Sequence, residues 1–88
     1  MKSVYSFIAP DNLDIDFLKL LLLHNFTKAT IEYEFGLKYN NLKENFKINK
    51  WTNENTLYVH PTIYITMDQL NILKDILLTL NFTEGYSL

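Results

Sequence analysis

Apolar and polar positions change period several times along the chain, and each change suggests a different element. Val4 to Ala9 is short, β-branched and aromatic and stops at Pro10, which reads as a first strand. Asp11-Asn12-Leu13-Asp14 then opens a helix running to about His24, with Asp11 placed to cap its first N–H groups and Asp14 and Asp16 near the positive end of its dipole. At about 100° per residue, Leu13, Phe17, Leu20, Leu21 and His24 share one arc of this helix, and Ile15, Leu18 and Leu22 share another. Two apolar arcs require two things to touch. From Ala29 to Tyr39 the pattern has period two, with Ile31, Tyr33, Phe35, Leu37 and Tyr39 alternating with Thr30, Glu32, Glu34, Gly36 and Lys38, as on a half-buried strand. Glu44 to Trp51 alternates more weakly and reads as a strand or, because Leu42 and Phe46 lie four apart, a short helix. Leu57 to Ile65 alternates again, with Leu57, Val59, Ile63 and Ile65 on one face and Tyr58, His60, Thr62 and Tyr64 on the other; Pro61 makes it an edge strand or a bulged one. Thr66-Met67-Asp68-Gln69 has the form of a capping box, with Ile65 able to staple onto Leu70. Leu70, Ile72, Leu73, Ile76, Leu77 and Leu80 then line one side of an amphipathic helix.

The predicted order is β-α-β-β-β-α, with Glu84 to Leu88 available as a last strand. That is an α+β domain in which two helices pack on one face of a mainly antiparallel sheet, a single compact domain over residues 1–88. If Glu44 to Trp51 is an insertion and the tail pairs, the order becomes β-α-β-β-α-β, the ferredoxin-like arrangement.

A near-repeat marks the end of each helix. Residues 21–27 read LLLHNFT and residues 77–83 read LLTLNFT, five of seven letters in common. Nothing in the sequence directs the chain to a secretory compartment, so the two N-x-T triplets are not expected to be glycosylated. In each, the asparagine, Asn25 or Asn81, can adopt the left-handed conformation that ends a helix, and Phe26 or Phe82 can fold back onto Leu21 or Leu77.

Composition narrows the function more than any motif does. With 48% apolar and 20% charged residues in 88, the chain is globular. The absence of cysteine removes disulfides, thiolate metal sites and thiol nucleophiles. No signal peptide is evident after Met1, and the most apolar stretch, Ile15 to Leu23, is too short to span a bilayer, so a cytoplasmic protein with no membrane partner is expected. All eight basic residues are lysine, and the net charge is −2, too mild for a DNA mimic or a DNA binder.

Candidate chemistry is sparse. Asp11, Asp14 and Asp16 do not converge on a metal at their spacing, and helix-start electrostatics accounts for them. There is no G-x-S-x-G or H-E-x-x-H run, and two glycines in total leave no phosphate-cradling loop. Glu32 and Glu34 would point the same way from an open strand face, a poor arrangement for acid–base work. Neither catalysis nor a cofactor or metal is expected. The run α-β-β-β-α is similar to a double-stranded RNA-binding domain, yet Met67-Asp68-Gln69 stands where that family presents lysines. Exposed Tyr58 and Tyr64 on a ferredoxin-like sheet are similar to an RNA-recognition fold, but its glycine- and aromatic-rich signature is missing and Glu32 and Glu34 would repel a phosphate backbone.

Protein binding is what is left. Tyr58, Tyr64, His60, Glu32 and Glu34 make an expected outer face of rigid aromatics and polar groups, the composition enriched at interfaces. Leu18 and Leu22, with Ile15 on the second arc of the first helix, are expected to form a partner site or homodimer seam, or else mark a helix wedged deep between sheet and loop. In size and cysteine-free compactness the chain is similar in kind to the inhibitors that phages carry against host defence, anti-CRISPR proteins among them, which implies steric blockade of a larger protein. The alternative expectation is a ferredoxin-like dimerisation or ligand-sensing domain.

Overall fold

The computed structural model describes residues 4–87, with side chains through residue 85; Leu88, the end of the expected last strand, lies outside them. Four strands, β1 (Tyr5–Ile8), β2 (Phe46–Ile48), β3 (Asn55–Val59) and β4 (Thr83–Ser87), form one antiparallel sheet in the order β2-β3-β1-β4. The helices α1 (Ile15–Asn25) and α2 (Met67–Thr79) make the two crossovers. This is the β-α-β-β-α-β order with β1 and β3 central, and it fits the ferredoxin-like arrangement.

Phe7 of β1 and Leu57 and Val59 of β3 are completely buried on one face of the sheet, against Leu18 and Leu22 of α1 and Leu73, Ile76 and Leu77 of α2. The sheet's other face presents Ser6, Ile8 and Tyr58, which retain partial exposure. Each helix has a local start signal. Asp14, not Asp11, caps α1, its carboxylate accepting from the Phe17 N–H at 3.2 Å. At α2 the reciprocal capping box is complete: the Gln69 N–H donates to the Thr66 hydroxyl at 3.1 Å and the Thr66 N–H donates to Gln69 Oε1 at 3.0 Å.

The segment with the clearest alternation is not a strand. After α1, the Thr27 hydroxyl takes the Thr30 N–H at 3.1 Å and starts a wide helical turn over Thr30–Glu34, closed by Phe35 N–H to Thr30 C=O at 3.0 Å. Ile31 and Phe35, four residues apart, point into the core, and Phe35 meets Phe26 edge to face at 4.8 Å between ring centroids. Gly36 (φ 71) then reverses the chain, and Leu37 is buried beyond it. A kinked 3₁₀ segment, Tyr39–Asn45, comes next and buries Leu42 before the backbone straightens into β2. The weakly alternating stretch from Glu44 to Trp51 therefore supplies the real second strand, shortened to three residues, with a helical turn ahead of it.

The third expected strand is shortened as well. β3 stops at Val59, two residues before Pro61, which has no N–H for a ladder, and residues 60–66 become a loop. β4 pairs with β1 as the expected tail strand, with a bulge between Tyr5 and Phe7.

Candidate interaction surfaces

The loop after β3 is held on both sides. The His60 N–H donates to Phe35 C=O at 3.0 Å, and the Thr62 N–H donates to Glu34 C=O at 2.8 Å, so the loop runs beside the end of the wide helical turn. Thr62 also organises the loop internally, its carbonyl accepting from the Ile65 N–H and its hydroxyl from the Tyr64 N–H, each at 3.3 Å. Gly36 lets the two segments approach: a Cβ there would lie 2.8 Å from the His60 carbonyl oxygen.

Large apolar side chains stand exposed along these joined segments. Tyr33 on the turn is 73% exposed, Ile63 and Tyr64 in the loop 68% and 78%, and Met67 at the first turn of α2 67%. His60 is exposed beside them. On a hydrogen-bonded backbone, covering such groups costs side-chain rotamer freedom, about 0.5 to 1.5 kcal/mol each, with little further ordering of the main chain. Covering four side chains exposed to this extent is worth roughly 4 to 8 kcal/mol before association costs, at about 1.5 to 3 per fully buried side chain.

The residues expected to bind a partner therefore separate. His60 and Tyr64 belong to this end of the molecule, with Glu34 supplying a backbone acceptor beneath them. Glu32 is half-buried on the turn and borders a shallow depression with Lys38 and Glu44, whose charges pair at 3.1 Å. Because residues 29–39 are not a strand, Glu32 and Glu34 do not share an open sheet face. Of these residues only Tyr58 lies on the open face of the sheet, half-buried, lining a groove of about 510 Å³ with Ser6, Ile8, Thr56 and Gly85. Leu18 and Leu22 are 0% and 1% exposed, at the centre of the core, and offer no surface for a dimer seam. The arc of α1 left in water is the other one, carrying Phe17, Leu20 and His24.

Sequence patterning missed Tyr33, Ile63 and Met67. Pro61 was the available signal for Ile63: a ladder ending there frees the residues beyond it from the alternation that assigned Ile63 to the inner face. It also gave no role to Trp51, which is 95% exposed at the tip of the β2–β3 hairpin. That tip is ordered by Asn49, whose side-chain oxygen accepts from the Trp51 N–H at 2.8 Å and the Thr52 N–H at 3.3 Å.

Among the described residues no group of three or more His, Asp or Glu side chains is placed to hold a metal ion, and no helix is long and apolar enough to cross a membrane. No protein-family model, curated protein or solved structure matches the chain.

Proposed function

We propose that the chain is a non-catalytic protein-binding module that docks through the end formed by the wide helical turn and the β3–α2 loop. It acts as a small regulator or inhibitor by covering a site on a larger protein. The observation that carries this reading is the exposure of Tyr33, Ile63, Tyr64 and Met67 on two segments pinned together by backbone hydrogen bonds. Aromatic and methionine side chains are enriched at interface centres, and here they project from a backbone already in one conformation.

The test is affinity capture from the native cell with the intact chain and with an Ile63→Ser, Tyr64→Ala variant. One larger protein is expected with the intact chain and not with the variant, while circular dichroism shows both folded. Capture that is indifferent to these substitutions moves the binding surface elsewhere, and turnover of a substrate by the purified chain ends the non-catalytic reading.

A further inference from the structure

The outer face of the helical layer combines an apolar seam with an excess of negative charge. β1 ends at Ile8, which pairs with Thr83 at the start of β4, so the start of α1 and the end of α2 lie at the same end of the sheet and the helices run antiparallel. A groove of about 200 Å³ between them is bordered by Leu13 and Phe17 from the α1 side and Thr79 and Leu80 from the α2 side. Phe17, Leu20 and Leu23 succeed one another at three-residue spacing and are 48%, 65% and 45% exposed. On α2, Lys74 faces β4, where it pairs with Glu84 at 3.3 Å. Ile72, about 160° around the helix from Lys74, is on the flank toward α1 and is also exposed.

Carboxylates frame this seam. Asp16 is one turn before Leu20, and Asp68 and Asp75 are one turn either side of Ile72; all three are exposed, as is the capping Asp14. The two lysines on these helices are engaged away from it. Lys19 lies over the Tyr39 ring at 5.1 Å from its centroid, and Lys74 lies between Glu84 and the Tyr5 ring. Exposed His24 is the remaining basic side chain on α1 and α2, and Lys43 of the 3₁₀ segment borders Asp14 and Asp16, so the four aspartates still outnumber the basic groups near them.

We infer that this face receives an amphipathic helix whose apolar stripe is flanked by lysine or arginine. The seam between two antiparallel helices accepts the ridge of a third, and α1, with 11 residues, offers a track about 16 Å long, three turns of a partner helix. A second copy of the chain is the wrong occupant, because it would bring four more aspartates against these four. The surface is separate from the one formed by the wide helical turn and the β3–α2 loop, so either assignment can fail alone.

The test uses fluorescence anisotropy with the full chain and a labelled Leu/Lys amphipathic peptide of about 14 residues, beside a scrambled peptide of the same composition and a Leu/Glu counterpart. The Leu/Lys helix is expected to bind and the other two to bind about tenfold more weakly or not at all. Phe17→Ser with Leu20→Ser should weaken binding by about tenfold, as Leu20→Ser alone should in part, which guards against misfolding of the double variant. Asp16→Asn, Asp68→Asn and Asp75→Asn together should flatten its salt dependence, and Ile63→Ser should leave it unchanged. Equal binding of the scrambled peptide, failure of the Leu/Lys peptide to bind, or indifference to Leu20→Ser overturns the inference. So does a homodimer in light scattering that Leu20→Ser dissolves.

Discussion

Leu18→Ala and Leu20→Ala, two residues apart on α1, separate the two possible orientations of that helix. Leu18 has no exposed surface and belongs to the main core, whereas Leu20 is 65% exposed. Truncating a fully buried leucine removes its transfer free energy and leaves a cavity, a loss of about 2 to 5 kcal/mol. For a domain of this size each kcal/mol moves the melting midpoint by about 4 to 8 °C, so a central loss of about 3 kcal/mol lowers it by about 12 to 24 °C. Leu20→Ala forfeits little burial and gains slightly in helix propensity, so its effect is expected within about 0.5 kcal/mol. Urea titrations of both variants, followed by circular dichroism with a shared m-value, give the two free energies directly. A Leu20→Ala loss equal to or larger than that of Leu18→Ala would refute the helix orientation, and with it the acidic seam on the outer face.

Substitutions at three further positions test the local geometry. Asn81 has φ 68, so Asn81→Ala should cost about 1 kcal/mol and lower the thermal midpoint by about 4 to 8 °C, while Asn81→Gly should be neutral or slightly stabilising. Gly36→Ala forces a left-handed alanine and a Cβ 2.8 Å from the His60 carbonyl; a urea titration should show a loss above about 1 kcal/mol, together with weaker capture of the partner. Thr66→Ala removes the hydroxyl that accepts from Gln69 and should cost about 1 kcal/mol, measured the same way.

The parts of the fold legible in the sequence are those where independent local signals agree. α2 is announced by a capping box, an apolar stripe and a left-handed asparagine, and it forms where they place it, except that Ile72 sits on the exposed flank. α1 lacks an equivalent constraint. Its sequence, IDFLKLLLLHN, is apolar around most of its circumference, so no polar face fixes its rotation, and tertiary packing buries Leu18 and Leu22 in place of Phe17 and Leu20. The stretch from Ala29 to Tyr39 misleads for a different reason. Apolar residues at every second position include pairs four apart, and one such pair, Ile31 and Phe35, is what the core takes. Thr27 spaced three from Thr30, and Gly36 after the last turn, were the local marks of a helical segment inside an alternating one. The candidate site inherits this: His60 and Tyr64 were legible as exposed, but their neighbour Tyr33 was not, because its position depends on that turn.

The paired heptads show how far identical letters constrain structure. In LLTLNFT, the Phe82 N–H donates to Leu77 C=O and the Asn81 N–H to Leu78 C=O, both at 3.0 Å, with Asn81 left-handed; this is a Schellman stop, with Phe82 and Leu77 both buried. In LLLHNFT, Asn25 stays helical, its side-chain amide donates to Leu21 C=O at 2.8 Å, and Phe26 leaves in an extended conformation. The difference lies in the path the chain takes out of each helix. Phe82 must turn directly into β4 beside β1, and only a left-handed residue reverses the chain that sharply. Phe26 instead drops into the core against Phe35, and Thr27 then nucleates the next turn, a route that needs no reversal at Asn25. Asn25→Ala should accordingly fall within about 0.5 kcal/mol of the parent, measured beside Asn81→Ala. Equal losses at the two asparagines would mean that the shared letters, and not the packing of the phenylalanine after them, decide how each helix ends.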